Sequence, residues 1–128
     1  MIFPSLHIAQ TSQKGKGVFT SENLAADLVI EVSPVIVMSL QDRVHLDKTL
    51  LHDYIFEWGE EKNNCCMALG FVPMYNHSYQ SNCEYFMDYK DDVIFVKTVR
   101  PIHAGEELTI NYNGDWNDDK KVWFETKV

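Results

Sequence analysis

Residues 105–112 read GEELTINY, and this stretch shows the strand pattern that recurs along the chain. Leu108 and Ile110 alternate with polar residues, so they share one face of a predicted strand. Upstream, residues 84–89 and 93–99 are rich in aromatic and β-branched residues and flank a polar turn, which is typical of a β-hairpin. The C-terminal part of the chain is therefore predicted to consist of short strands.

Strand segments continue towards the N terminus, and only one long helix is expected. Further strands are predicted at residues 6–11, 18–20 and 27–39, the last bent at Pro34. Between residues 42 and 58 apolar residues recur at near-helical spacing, which predicts a helix that ends at Gly59. Residues 65–72 form an apolar run that fits either a helical turn or a buried strand. We predict one domain over residues 1–128, mainly β with short helices, of the α+β class.

Composition and charge limit the class of protein. The 128 residues are 45% hydrophobic and 12% aromatic, which supports a core in one domain and excludes a mainly disordered chain. No apolar run approaches the roughly 20 residues that a membrane-spanning helix needs. The chain has 11 Lys and Arg against 19 Asp and Glu, a net charge of −8. This balance argues against direct nucleic-acid binding and favours a basic partner, although the charge could also serve solubility alone.

The cysteines indicate a reducing compartment. Cys65 and Cys66 are adjacent, and Cys83 is the third. Adjacent cysteines rarely bridge each other, an odd count offers no disulfide framework, and no spacing fits a zinc site. We therefore expect an intracellular protein, in the cytoplasm or the nucleus, without a bound metal.

Three segments carry residues that ordinary packing does not require: Gly15-Lys16-Gly17, the polar loop MYNHSYQSNC at residues 74–83, and Tyr112 at a strand end. Taken singly, each has an ordinary explanation: a plain turn, a solvated histidine in the case of His77, and an amphipathic edge residue. A Ser-His hydrolase could be built on His77, but the sequence has no Gly-x-Ser-x-Gly turn. The three segments together, in this order, are far more specific than any one of them.

In this order the segments resemble the motifs of the SET-domain family of protein lysine methyltransferases. The family's Gly-x-Gly before a Val-Phe strand is similar to residues 15–19, and its Asn-His-Ser-x-x-Pro-Asn motif is similar to residues 76–82. Its Gly-Glu-Glu-Leu-Thr-x-x-Tyr motif is similar to residues 105–112. The resemblance covers residues 6–116. It implies a β-clip of small sheets with a C-terminal pseudoknot, in which the C-terminal segment passes under an earlier loop, and this would bring the Asn76 loop beside Tyr112.

The resemblance also implies a cofactor and the site that holds it. The cofactor would be S-adenosylmethionine, with S-adenosylhomocysteine as the product. Backbone groups of the first motif and side chains of the second would bind it, and an aromatic residue near the C terminus would pack against the adenine. The residues assigned to cofactor binding are Lys14, Gly15, Lys16, Gly17, Asn76, His77, Tyr112, Trp123 and Phe124. For Trp123 and Phe124 the alternative is docking of the tail onto the core.

By the same resemblance Tyr112 is the expected catalytic residue, and its hydroxyl would orient the methyl group or the amine. The substrate lysine must first lose a proton, which costs about 4.6 kcal/mol at pH 7 for a pKa of about 10.4. A dry channel lowers that cost, because desolvation disfavours the charged amine. The residues expected to line the channel are Tyr54, Tyr75, Tyr112 and Trp116. For Tyr54 the alternative is a core residue of the predicted helix.

The chain departs from the family pattern at several positions. Ser81 replaces a proline, which predicts a looser loop, and Met74 stands where many members have arginine. Trp116 lies where many members have Phe or Tyr, so the number of methyl groups transferred stays open. The cysteine-rich, zinc-binding flanks of many members are absent from this sequence. We therefore expect a minimal catalytic domain, with a homodimer as one way to complete the substrate groove.

The sequence thus predicts an S-adenosylmethionine-dependent protein lysine N-methyltransferase. Its substrate would be a lysine in a basic protein or peptide, such as a histone or histone-like protein, and neither a membrane nor a nucleic acid is an expected partner. The alternative is a catalytically silent SET-like module that binds a peptide or a partner protein. The joint presence of Gly15, Asn76, His77 and Tyr112 disfavours that alternative, because a pure binder does not need all four.

Overall fold

A computed structural model of the chain describes residues 1–114 and Asp119. Within these residues the chain forms two β-sheets, one short α-helix and two 3₁₀ turns. The strands are β1 (Leu6–Gln10), β2 (Lys16–Thr20), β3 (Val29–Met38), β4 (Phe56–Trp58), β5 (Asn64–Ala68), β6 (Asn76–His77), β7 (Cys83–Asp88), β8 (Val93–Thr98) and β9 (Glu107–Ile110). The helical elements are α1 (Leu40–Leu46) and the 3₁₀ turns Leu50–Asp53 and Val72–Met74. The predicted mainly β class is confirmed.

The four-stranded sheet, in the order β1-β2-β9-β6, brings the three sequence motifs together. β1 and β2 form an antiparallel hairpin, and β2 pairs antiparallel with β9, with Val18 opposite Leu108. β6 pairs with the other edge of β9 in parallel, with Asn76 opposite Thr109. Segments that lie far apart in the sequence therefore meet because β9 is their common neighbour.

The five-stranded sheet, in the order β4-β5-β3-β8-β7, forms the larger part of the molecule. The predicted hairpin is present as β7 and β8. β3 is one long strand that changes partner at Pro34: the residues up to Pro34 pair with β8, and the residues from Val35 pair with β5. Proline has no backbone N–H to donate to a ladder, which suits a position where the pairing changes.

The single helix predicted over residues 42–58 is wrong in extent. Only α1 is α-helical, a 3₁₀ turn capped by the Thr49 hydroxyl follows, and residues 56–58 form the strand β4. The helix is short because α1 buries none of its side chains, whereas β4 buries Trp58 by pairing with β5. Gly59 therefore opens the β4–β5 turn, with a φ of +99°, instead of ending a helix.

One continuous hydrophobic core joins the two sheets. The four-stranded sheet contributes Val18, Leu108 and Ile110, and the five-stranded sheet contributes residues such as Ile30 and Ile94. Residues 65–68, which the sequence left open between helix and strand, belong to the strand β5. In the part of the chain that the structure describes, no helix has the length and apolar character needed to cross a membrane.

Candidate active site

Asn82 ties the polar loop to β9 and so brings the second and third motifs together. Its side chain donates to the carbonyl of Glu107 and accepts from the N–H of Thr109, both at 2.8 Å. At the start of the same loop, the N–H of Tyr112 donates to Nδ1 of His77 at 3.0 Å. The loop thus lies across the C-terminal strand and places residues 76–82 beside Tyr112, as the sequence resemblance implied.

The first motif makes a close approach that requires glycine. Gly17 is buried, and a Cβ built on it would overlap the carboxylate of Glu107 and lie 2.8 Å from Nδ2 of Asn76. Gly15 serves the turn itself, because its φ of +72° is a conformation that other L residues rarely adopt. The Gly-x-Gly pattern therefore has two separate causes, a turn and a contact with the second motif.

Asn76 connects all three motifs. Its Nδ2 donates to the carbonyl of Lys16 at 3.1 Å and to Oε2 of Glu107 at 2.7 Å. Because these bonds involve the amide nitrogen, they set the orientation of the side chain and leave Oδ1 as its acceptor. On the adjacent loop, Nζ of Lys14 donates to the carbonyl of His77 at 3.1 Å. Glu107 was not among the site residues predicted from the sequence, although it lies within the third motif.

Tyr112 lies where these segments converge. Its hydroxyl donates to the carbonyl of Tyr75 at 2.9 Å, and its ring packs at a tilt on His77, with centroids 5.1 Å apart. Burial, reinforced by Tyr54 and the carboxylates of Glu107 and Asp53, raises the pKa of Tyr112 to about 12. The phenol is therefore protonated at neutral pH and acts as a hydrogen-bond donor to the carbonyl.

The other tyrosines occupy different positions around Tyr112. Tyr54 is half-buried and lines an apolar cavity of about 360 Å³, together with Met67, Leu69, Pro73 and Met74. The ring of Tyr75 is 1% exposed and its hydroxyl bonds Glu31 at 2.9 Å, so what it presents to Tyr112 is its backbone carbonyl. Burial and the nearby Glu31 carboxylate raise the pKa of the Tyr75 phenol well above its usual value.

Tyr85 is a site residue that the sequence analysis missed. Its hydroxyl donates to the carbonyl of Tyr112 at 3.3 Å, and its ring makes an edge contact with Phe56, with centroids 5.4 Å apart. It lies on β7, where a tyrosine fits an ordinary hairpin, so only the tertiary fold distinguishes it. Trp116, Trp123 and Phe124, which the sequence analysis assigned to the channel and the cofactor, lie outside the described residues.

Comparisons with known proteins find relatives over most of the chain. The family model described as SET domain matches residues 15–113. A histone-lysine N-methyltransferase of Schizosaccharomyces pombe, described as H3 lysine-37 specific, is 37% identical over 124 residues, which covers 96% of this chain and 79% of that protein. Histone-lysine N-methyltransferase SETD7 of Halocynthia roretzi is 31% identical over 101 residues. That match covers 71% of this chain but only 24% of the relative.

Solved structures show the same fold. A Plasmodium falciparum protein, described as a candidate histone methyltransferase, superposes with a TM-score of 0.68 at 27% identity, covering 91% of this chain and 100% of that chain. A humanised Chaetomium thermophilum Polycomb Repressive Complex 2 superposes with a TM-score of 0.71 over 88% of this chain and 15% of that chain. At 19% identity, the second likeness concerns the fold alone.

Proposed function

The chain belongs to the SET-domain family, and from this premise we propose that it is an S-adenosylmethionine-dependent protein lysine N-methyltransferase. The proposed substrate is a lysine in a histone or another basic protein. The observation that carries the proposal is the position of Tyr112, whose hydroxyl meets the carbonyl of Tyr75 where all three motifs converge. The histone-lysine methyltransferase names of the two relatives support the choice of lysine and of histones.

The residues of the first two motifs fit S-adenosylmethionine, which supplies an electrophilic methyl group when bound. Gly17 lets the backbone of the first motif lie against the side chains of Glu107 and Asn76, where any Cβ would collide. Asn76 offers an amide oxygen and Lys14 a cation, which suit the ammonium and the carboxylate of an amino-acid group. We propose the backbone of residues 14–17, the side chains of Asn76 and His77 and the ring of Tyr112 as the cofactor contacts. Trp123 and Phe124 remain the proposed adenine contacts.

The lysine would reach Tyr112 through apolar surroundings. We propose that Tyr54, Tyr112 and Trp116 line this channel, and that Tyr75 contributes its carbonyl. Met67 and Leu69 line this apolar depression beside Tyr54, which is open to solvent, and a bound peptide that covered it would exclude water and favour the neutral amine. The phenol oxygen of Tyr112 would accept a hydrogen bond from that amine and align it, since positioning accounts for much of the rate of an in-line transfer.

The proposal is tested first with the ligand and then with the reaction. Titration calorimetry with S-adenosylmethionine and S-adenosylhomocysteine should give saturable binding at one site per chain. Methyl transfer to recombinant core histones should then appear by mass spectrometry. Histone H3 is the first candidate, because the Schizosaccharomyces pombe relative is described as H3 lysine-37 specific, and H3 with that lysine replaced by arginine is the control. Absence of both binding and transfer would overturn the proposal and favour the silent binding module.

We also propose that the chain works inside the cell, in the nucleus or the cytoplasm, and that it forms a homodimer. Apolar side chains exposed on and beside α1 support the dimer: Leu40, Val44, Leu50 and Leu51. Size-exclusion chromatography with light scattering should give the mass of two chains, and Val44→Glu should reduce it to one. A wild-type monomer at assay concentration would refute the dimer without touching the proposed activity.

A further inference from the structure

One carboxylate is buried in the core. Glu31, on β3, is 0% exposed, and in the described part of the chain it is the only Asp, Glu, Lys or Arg in the buried class. The ion pairs found among the described residues do not include it. A carboxylate without water is costly by roughly several kcal/mol unless hydrogen bonds replace its hydration. The partners of Glu31 therefore indicate what its burial achieves.

Glu31 accepts three hydrogen bonds from uncharged donors. The Ser33 hydroxyl at 2.7 Å and the Phe71 backbone N–H at 2.8 Å donate to Oε2, and the Tyr75 hydroxyl donates to Oε1 at 2.9 Å. Ser33 is a neighbour on the same strand. Phe71 and Tyr75, in contrast, flank the 3₁₀ turn Val72–Met74 at its two ends. One carboxylate thus holds both ends of this turn.

The chain approaches this carboxylate closely just before the turn. A Cβ on Gly70 would lie 2.6 Å from Oε2 of Glu31 and would overlap the Ser33 hydroxyl. Gly70 also has a φ of +77°, so both space and conformation require glycine there. The same segment lines the cavity beside Tyr54, through Gly70 and Met74. The anchored turn is therefore one wall of the proposed lysine channel.

The turn leads directly to Tyr112. The Tyr75 carbonyl accepts the Tyr112 hydroxyl at 2.9 Å, and two residues later Nδ1 of His77 accepts the Tyr112 N–H at 3.0 Å. Both the side chain and the backbone of Tyr112 are therefore held by the segment that Glu31 anchors. Movement of the turn would move the carbonyl and, with it, the hydroxyl.

We propose that Glu31 is a positioning residue for methyl transfer. Its carboxylate fixes the turn through the Tyr75 hydroxyl, and the Tyr75 carbonyl in turn fixes the Tyr112 hydroxyl. The kinetic consequence rests on the proposed function, whereas the link between Glu31 and Tyr112 is geometric. Misplacement by 1 Å can reduce a rate by about 100-fold, so loss of the link should lower kcat by a larger factor than it raises KM for the cofactor or the peptide.

Two substitutions remove matched hydrogen bonds from the same carboxylate. Tyr75→Phe deletes the buried hydroxyl that connects Glu31 to the turn, whereas Ser33→Ala deletes a buried hydroxyl that lies on β3 itself. With S-adenosylmethionine and a histone H3 peptide, we expect kcat to fall about 10- to 100-fold in Tyr75→Phe and to stay within about twofold in Ser33→Ala. Urea unfolding of both variants checks that their stabilities are comparable.

Glu31→Gln provides a third variant. An amide has one accepting oxygen where the carboxylate has two, so with that oxygen on the Phe71 N–H the amide nitrogen faces the Tyr75 hydroxyl, which must turn from donor to acceptor. We expect kcat to fall, but by less than in Tyr75→Phe. If Tyr75→Phe keeps the wild-type kcat, or if Ser33→Ala loses as much as Tyr75→Phe at equal stability, the proposal is overturned.

A second measurement does not depend on activity. In the full chain labelled with ¹³C at tyrosine Cζ, the Tyr112 signal, assigned with Tyr112→Phe, reports on the hydrogen bond of its hydroxyl. We expect this signal to shift in Tyr75→Phe and Glu31→Gln but not in Ser33→Ala. If the wild-type chain transfers no methyl group, the proposed function fails, and this signal still decides the geometric link. An unmoved Tyr112 signal in both Tyr75→Phe and Glu31→Gln would refute that link.

Discussion

Replacing Tyr112 with phenylalanine removes one hydroxyl and leaves the ring. In the structure this hydroxyl donates a 2.9 Å hydrogen bond to the Tyr75 carbonyl, while the ring packs on His77. Loss of one such bond costs about 0.5–1.5 kcal/mol, which is small beside the roughly 5–15 kcal/mol that stabilises a typical domain. Tyr112→Phe should therefore fold and should bind S-adenosylmethionine with nearly unchanged affinity.

Turnover should respond much more strongly than stability. A preorganised polar group at a reaction centre contributes about 10²- to 10³-fold to kcat, which corresponds to about 2.7–4 kcal/mol. Burial raises the pKa of Tyr112 to about 12, so the phenol stays protonated throughout the usual assay range. The ratio of wild-type to Tyr112→Phe rates should therefore be the same from pH 7 to pH 10.

The assay is methyl transfer to histone H3 at saturating cofactor, followed by mass spectrometry, with calorimetry of cofactor binding in parallel. Tyr89→Phe is the control, because Tyr89 is an exposed tyrosine on the hairpin. Its hydroxyl donates to the Met87 sulfur at 3.8 Å. An unchanged rate in Tyr112→Phe would refute the role of the hydroxyl. A loss of cofactor binding equal to the loss of rate would show that Tyr112 serves binding instead.

Three further predictions concern stability and binding. Asn82→Ala removes the two side-chain hydrogen bonds that hold β9, so the free energy of unfolding in urea should fall by about 2–3 kcal/mol. A loss below about 0.5 kcal/mol would show that these two bonds do not stabilise the fold. Gly17→Ala forces a Cβ against the Glu107 carboxylate. The variant should still unfold cooperatively, but calorimetry should show at least about tenfold weaker binding of S-adenosylmethionine. Unchanged affinity would show that cofactor binding does not depend on this close approach. Burial raises the pKa of the Cys66 and Cys83 thiols to about 12, from 9.0, so the unfolded chain loses these protons first. The free energy of unfolding should therefore be unaffected by these thiols below pH 9 and should fall as the pH rises towards 12. The fall should be shallower in Cys83→Ala, and equal pH slopes for the wild type and the variant would contradict the raised pKa of Cys83.

The local pattern of the sequence was sufficient for the hairpin and for most strands. β7 and β8 alternate clearly around a polar turn, and the bend at Pro34 coincides with the change of partner in β3. The prediction of one helix over residues 42–58 was wrong because near-helical spacing also arises when a short helix, a 3₁₀ turn and a strand follow one another. The pairing of β4 with β5 and the edge contact of the buried Trp58 ring with Tyr89 decide that case, and both contacts are tertiary.

The site shows the same division between local pattern and tertiary contact. Asn76 and Tyr112 could be proposed as site residues because they lie in recognisable motifs, and β9 brings those motifs together. Tyr85 and Glu31 could not be proposed from the sequence, because an aromatic residue in a hairpin and an acidic residue in a strand are common and carry no local signal of a site. Their roles depend on which groups face them: the Tyr112 carbonyl for Tyr85, and both ends of the 3₁₀ turn for Glu31.

The hydrogen bond and the pKa of Tyr112 together restrict its chemistry. A carbonyl cannot donate, so the proton in the 2.9 Å contact belongs to the phenol and points towards Tyr75. With a pKa of about 12, that phenol does not exist as a base at neutral pH. What it offers to another group is the acceptor side of its oxygen, which orients an amine N–H but does not remove a proton. In the proposed reaction, loss of the lysine proton would depend on desolvation of the amine, to which the apolar residues beside Tyr54 would contribute once a bound peptide covers them. The pH dependence of turnover would then come from the amine, and the maximal rate from its alignment by Tyr112.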